Sequence, residues 1–221
     1  LENHRQWQTL VHPRDIAETK GVVAIGNITK VYNEEQKFPE MNAYCISKLY
    51  ADWTTDGAKT AHSEALTEEN VLTVFDEMMK DMDNKRVPRA GRILYVTPDV
   101  RTLINNAKQI YRTVDVGSRS DAIKRAINSI DDVKIPESVP SDMMQTKYDF
   151  TEGWKVDSTA KQINMVLVHP MAVITPISYE FAQLDPPSAG SQGKYDYFEE
   201  SFEDVFILPH KMDAIDFHVN A

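Results

Sequence analysis

Glycine is scarce in this chain, with 8 among 221 residues, and none falls in a G-x-G-x-x-G or Walker arrangement. A backbone cradle for phosphate groups is therefore missing, since such loops need glycine where the main chain closes on the ligand. The G-x-S-x-G nucleophile elbow is absent too, as are the H-E-x-x-H and C-x-x-C spacings of common metal sites. Cysteine occurs once, at Cys45, which excludes an internal disulfide and suits a reducing compartment. No apolar run approaches the ~20 residues of a membrane-spanning helix, and no signal-peptide pattern is visible. Leu1 is not a methionine, so a fragment or a processed form is expected. Basic residues are outnumbered, 24 Lys and Arg against 34 Asp and Glu, for a net charge of −10 and a pI near 5.1. A protein that grips nucleic acid carries a basic patch or stripe. The nearest candidates, Lys85-Arg86 with Arg89 and Arg92, and Arg119 with Lys124-Arg125, are short and lack interleaved aromatics. They read as helix-end cations and a solvated face.

What is present is ordinary for a globular protein: 42% hydrophobic and 26% charged residues. A chain of this length buries one substantial core or two modest subdomains. From Asp15 to about Glu34 the pattern is helix-like, but Gly21 and Gly26 weaken it, so one bent helix or two short pieces would fit. Pro39 can open the next helix, with Glu40 in its first turn and Met41, Cys45 and Leu49 as one apolar stripe. Thr54–Ser63 is a polar connection. Thr67 is a good N-cap for a helix over Thr67–Asn84, whose Val71, Leu72, Phe75, Met78, Met79 and Met82 share a face. Arg92–Thr97 reads as a buried strand, and Pro98 starts a helix with Val100, Leu103, Ile104, Ala107 and Ile110 inward. A shorter helix is expected around Ser120–Asn128, with Ile123 and Ile127 inward. Further strands are expected at Val133–Ile135, at Gln162–Val168, within Ala172–Phe181, and at Asp213–Val219. Asp185–Gly193 contains two prolines, two glycines and two serines and should be a loop with little structure of its own. The strand after it, Tyr195–Phe206, puts Phe198, Phe202 and Phe206 on one side. The fold class is α+β, one body with an elongated two-stranded extension.

Side chains that could carry chemistry are scattered. His210, Asp213, Asp216 and His218 offer ligand types for zinc or iron, and Asp216 and His218 share a face if extended. Without a diagnostic spacing they read as exposed polar residues alternating with Ile215, Phe217 and Val219. Glu199, Glu200, Glu203 and Asp204 form the densest acidic cluster, which reads as the solvated outer edge of a strand rather than an acid–base pair. His169 lies beside a turn and reads as hydrogen-bonded structure. Cys45 has no basic neighbour to activate its thiol. No catalytic residue, cofactor site or metal site is expected.

Four blocks, in order, match one family. They are Trp7-Gln8-Thr9-Leu10 followed by Pro13–Thr19, the Phe38–Leu49 helix, Val87–Pro98, and Ala160–Val173. The second resembles "P-E-x-D-A-Y-x-x-S-K", the third "V-P-x-x-x-R-x-L-Y-V-T-P", and the fourth "A-x-x-I-N-x-I-I-V-H-x-x-A-V". These are motifs of tailed-phage major capsid proteins. The resemblance implies the Hong Kong phage type of capsid fold: a spine helix, a peripheral domain with a long β-arm, and an axial domain with a central mixed sheet. It assigns 1–35 to the end of the extended loop and the spine helix, 36–86 and 176–206 to the peripheral domain, and 87–175 and 207–221 to the axial domain. Asn42 stands where the family has an acid, so no salt bridge is carried over to it. The chain would begin past the N-terminal arm and much of the extended loop.

The function implied is structural: a phage or prophage shell subunit that assembles through pentamers and hexamers into an icosahedral capsid. Its expected partners are itself, a scaffolding protein and a portal protein. The shell encloses DNA without specific binding, touches no membrane, and is made in the bacterial host cytoplasm. Expected assembly residues are Asp185, Pro186, Pro187, Gly190 and Gly193 at the arm tip, with Arg14 and Glu18. A bacterial nanocompartment shell of the same fold and a small metal-dependent hydrolase using His210, Asp216 and His218 stay open as alternatives.

Overall fold

Residues 3–108, 127–151 and 153–220 are described by a computed structural model of the chain. The first half gives β1 (Asn3–Val11), α1 (Pro13–Glu18), α2 (Ile25–Tyr32), α3 (Phe38–Thr55), α4 (Val71–Asn84), β2 (Ile93–Val96) and α5 (Pro98–Asn106). The second half is mostly strand: β3 (Ser129–Ile130), β4 (Val133–Lys134), β5 (Tyr148–Asp149), β6 (Lys155–Val156), β7 (Ile163–Val168) and β8 (Val173–Ile174). It ends with β9 (Ile177–Asp185), β10 (Tyr195–Glu203), β11 (Phe206–Ile207) and β12 (Ile215–Val219). The class is α+β as expected. Two units are distinguished, Leu1–Cys45 with Thr175–Phe206, and Ile46–Ile174 with Ile207–Ala221. Residues 46–86 thus fall in the second unit.

In the first unit, β1, β10 and β9 form an antiparallel sheet with β10 in the middle. The expected two-stranded extension is therefore three-stranded. Register pairs Trp7 with Glu199 and Asn3 with Glu203, so the odd-numbered residues of both strands share one face. That face packs on helical residues of the same unit. Trp7 stacks on Tyr32 with ring centroids 4.4 Å apart, Arg5 pairs with Glu40, and Lys37 pairs with Glu199. Here the sequence reading is reversed. Glu199, Ser201 and Glu203 are buried, Phe198 and Phe202 are half-buried on the other face, and Phe206 lies beyond β10 and is exposed. The reason is β1. Its inward residues include Asn3, Arg5 and Thr9, so it shows no apolar alternation, yet it covers the second edge of β10 and supplies partners for the acids. Asn3 donates to Glu203 Oε1 at 2.8 Å, and Tyr44 donates to Asp204 Oδ1 at 3.1 Å.

The Asp15–Glu34 region resolves into two short helices. The main chain reverses at Lys20 and Gly21, with φ of 52° and 86°, and the Gly21 N–H closes α1 on the Ile16 carbonyl at 2.8 Å. From α2 the chain then stays helical into α3 through a π-turn at Asn33–Lys37. Pro39 does not open a helix; it sits inside one. A helical proline lacks an N–H and crowds the carbonyl four residues back. The wide turn just before it, with the Phe38 N–H bonded to the Asn33 carbonyl, relieves that conflict.

The second unit is built on a mixed five-stranded sheet in the order β12-β7-β2-β4-β3, in which only the β2–β4 pair is parallel. Its core gathers Val74, Phe75, Met78 and Met82 of α4, Leu94 and Val96 of β2, Val100 and Ile104 of α5, and Met165 and Leu167 of β7. The helix α4 starts at Val71, four residues later than expected. Thr67 still caps the turn that leads into it, its Oγ1 accepting from the N–H groups of Glu69 and Asn70 at 3.3 Å each. Position 110, most of the expected Ser120–Asn128 helix, and Arg119, Lys124 and Arg125 lie outside the described residues.

Arg92 is not on a solvated face: it is wholly buried. Its guanidinium donates to Asp83 Oδ1 at 2.7 Å and to the carbonyls of Val87 and Pro88 at 2.6 and 3.0 Å. Arg89 stays at the surface, paired with Asp83.

Two stability outcomes follow from this packing. Phe75→Ala should cost about 3–5 kcal/mol, the usual range for a large core truncation, and a change below ~1 kcal/mol in denaturant unfolding would place that face outside the core. Lys37→Met strands the buried Glu199 carboxylate and should cost about 3–5 kcal/mol, while adding Glu199→Met should recover most of it. A double variant as unstable as the single one would mean that the pair is not the source of the loss.

Candidate assembly surface

The sequence Ile-Ser-Tyr-Glu-Phe-Ala-Gln-Leu-Asp of β9 is rich in residues that favour extended backbone. It forms a nine-residue strand, exposed along its whole length. β9 bonds to β10 on one side, and among the described residues no strand covers its other edge. Such an edge presents unpaired N–H and C=O groups, a template for another chain. On the outer face of the sheet, Tyr179 and Phe202 meet edge-on at 6.0 Å, Phe181 and Phe198 lie 6.3 Å apart, and His4 stacks on Phe202 at 4.2 Å. Ile177 and Leu184 of β9 are more than half exposed. An exposed aromatic ladder beside an open strand edge is the kind of surface that marks a candidate protein contact.

The predicted assembly residues fall into two separate local features. Asp185 ends β9, and Pro186, Pro187, Gly190 and Gly193 lie in the turn at the tip. That turn is better ordered than the sequence suggests. The Gly193 N–H bonds to the Ser188 carbonyl at 2.8 Å, and the Ser191 hydroxyl donates to the Lys194 carbonyl at 2.6 Å. The serines that marked a loop by composition are the ones that close it. Arg14 and Glu18 pair with each other on α1 at 2.6 Å, both well exposed, a contact of little weight for stability.

The scattered metal candidates do not converge as a set. His210 is exposed in a 3-10 turn, Pro209–Ala214, and Asp213 pairs with Lys59. Asp216 and His218 are not exposed, because all five residues of β12 are buried. His218 Nε2 faces the Glu64 carbonyl at 2.9 Å and its Nδ1 faces the Asn164 amide at 3.2 Å. A neutral ring with the proton on Nε2 satisfies both contacts. Asp216 instead meets His62, with Nε2 and Oδ2 3.3 Å apart. His62 was missed because it lies in the polar connection, 154 residues from its partner; nothing in its local sequence marks it. It is held in place by backbone bonds on both sides, to the Phe217 carbonyl at 3.0 Å and from the Val219 N–H at 2.8 Å. His169 caps its own turn, Nδ1 accepting from the Met171 N–H at 3.2 Å. Burial, with Glu203 adding to it, pushes the Cys45 thiol up to about 11, so it is protonated at neutral pH and inert as a nucleophile.

No family model and no curated protein matches this chain. Solved structures do. The asymmetric unit of the bacteriophage PhiM1 mature capsid aligns over 100% of this chain and 71% of its own, with a TM-score of 0.64 and 15% identity. The fold is the phage major capsid fold. The capsid of cyanophage P-SCSP1u is similar to the same degree, with a TM-score of 0.64, 13% identity, and coverage of 99% of this chain and 72% of that one. A structure of Mycobacterium phage Che8 follows at 0.57, 11% identity, 98% and 70%. At such identities the likeness is one of fold, carried by the capsid fold's backbone rather than by shared side chains.

Within this capsid fold the half-buried His62 and the buried His218 should titrate in opposite directions. The hydrogen bond to Asp216 raises His62 above the ordinary 6.5, outweighing its burial, and burial lowers His218 below 6.5. A raised folded value stabilises below 6.5, and the contribution is lost as pH rises through the folded pKa; a lowered one stabilises above 6.5 and is lost as pH falls through its own. Their joint contribution is therefore greatest near pH 6.5. NMR titration in chelator-treated buffer should give His62 the higher midpoint and His218 the lower. The reverse order would show that the hydrogen-bond assignments are wrong.

Proposed function

We propose that this chain is a major capsid subunit of a tailed phage or prophage, assembling through pentamers and hexamers into an icosahedral shell around DNA. The observation that carries the reading is β9, a fully exposed strand at the edge of an aromatic sheet, in a chain with the capsid fold over its whole length. A shell subunit needs broad complementary surfaces and no reaction centre. The net charge of −10 suits a container that holds DNA without gripping it. In this reading 36–86 and 176–206 form the peripheral domain with its β-arm, and 87–175 and 207–221 form the axial domain. The Asp185–Gly193 tip and the Arg14–Glu18 pair face neighbouring subunits, scaffolding and portal proteins are the other partners, and the subunit is made in the bacterial cytoplasm before it enters the virion.

The test separates folding from assembly in one preparation. Replacing Pro186–Gly193 by a two-residue turn should leave the melting curve unchanged, because among the described residues the tip's hydrogen bonds run within itself and to its own strand ends. Light scattering and electron microscopy should show shells or capsomers for the parent protein, in the presence of scaffold, and their loss in the variant. Normal assembly of the variant would remove the tip from the contact. A parent protein that stays monomeric in every condition would remove the shell reading itself.

A further inference from the structure

Three electron-rich atoms converge in the second unit where one segment, one helix and one strand meet. His62 Nε2 lies 3.3 Å from Asp216 Oδ2 and 3.6 Å from Asp81 Oδ2, and the three ligand atoms all lie within 4.8 Å of one another. A ring nitrogen facing two carboxylate oxygens calls for positive charge between them. A proton on Nε2 makes one hydrogen bond, to Asp216, and leaves Asp81 beyond hydrogen-bond range. A metal ion engages all three. Ligand atoms around a tetrahedral zinc ion, each about 2.1 Å from it, stand about 3.4 Å apart, and the two measured His62 separations bracket that spacing. Asp81 has a side chain 62% exposed, so it can turn inward to close the remaining edge.

A second, independent feature marks the same cleft. Trp53 lines it together with His62, Asp81 and Asp216. Trp53 is only 2% exposed, and its indole N–H has no hydrogen-bond partner. An orphaned buried donor in the cleft wall is a polar group that the fold itself leaves without an acceptor. Of the cations on the cleft wall, Lys59 is engaged by Asp213, and Lys85 follows the end of α4. Glu64 and Glu77 form a second grouping with His62 and add negative charge nearby.

We propose that His62, Asp81 and Asp216 form a binding site for one divalent transition-metal ion, with zinc as the fitting member. One imidazole nitrogen and two carboxylate oxygens form a ligand set that suits it. The ion would tie the segment before α4, α4 itself and β12 together, a structural clamp independent of how the chain assembles.

Zinc titration of the chelator-stripped protein by calorimetry, paired with melting curves, tests this. The expected result is one strong site per chain and a melting temperature that rises with zinc. Asp81→Asn should weaken binding at least tenfold and abolish the melting shift. Since Asp81 lies on the exposed side of α4, this variant should keep the parent's zinc-free melting curve. His62→Gln should abolish the site, while His210→Gln, remote from the cluster in its exposed turn, should bind like the parent. Absence of a one-to-one site, parent-like affinity in Asp81→Asn, or equal weakening in His210→Gln would each overturn the proposal.

Discussion

The guanidinium of Arg92 lies wholly out of solvent, and what holds it there organises the larger unit. It bridges Asp83, at the end of α4, to the Val87 and Pro88 carbonyls just ahead of β2. A buried cation is tolerated only where its donors are used, so these contacts fix the path of the chain between helix and strand. With that path fixed, Phe75, Met78 and Met82 of α4 join Leu94 and Val96 of β2 in one core. Gly91, at φ 91°, gives the backbone the left-handed step it needs immediately before the arginine, where a side chain would be strained. Core and polar anchor are thus one construction: the apolar face supplies the burial energy and the arginine sets its register.

The smaller unit follows the opposite logic. Its sheet turns a polar face toward its helices and leaves the aromatic face open. Lys37, Arg5 and Asn3 neutralise or hydrogen-bond Glu199, Glu40 and Glu203, and burial still raises Glu203 above the ordinary carboxylate range. Interiors of this kind bring specificity more than stability, since an apolar replacement of a whole pair is often neutral. Phe181 and Tyr179 stay available on the outside. The aromatic groups of β9 thus lie at the surface while the acids of β10 are paired on the opposite face.

The chemistry that the sequence offered was dispersed or neutralised by the fold. Asp216 and His218 share a strand but not a site, since one turns to His62 and the other to Asn164 and the Glu64 carbonyl. The acidic run of β10 is taken up by cations and amides. Burial keeps the Cys45 thiol protonated.

Much of this was legible from sequence wherever a residue's role depends on near neighbours. The Thr67 cap, the apolar stripe of α4, Pro98 at the start of α5 and the apolar runs of β2 and β7 are local patterns with local causes. The resemblance at Phe38–Leu49, Val87–Pro98 and Ala160–Val173 also pointed to the capsid fold. Tertiary structure alone decided the rest. Strand β1 is hard to read from hydrophobic periodicity, since its inward Trp7 and Val11 are mixed with the polar Asn3, Arg5 and Thr9, and that side becomes inward only when β10 lies beside it. The same pairing turned Glu199 and Glu203 from surface residues into buried ones. Pro39 could be placed inside a helix only once the π-turn before it was known. His62 and Asp216, 154 residues apart, meet because a backbone bridge lays one segment along β12, and no pattern within either segment carries that information.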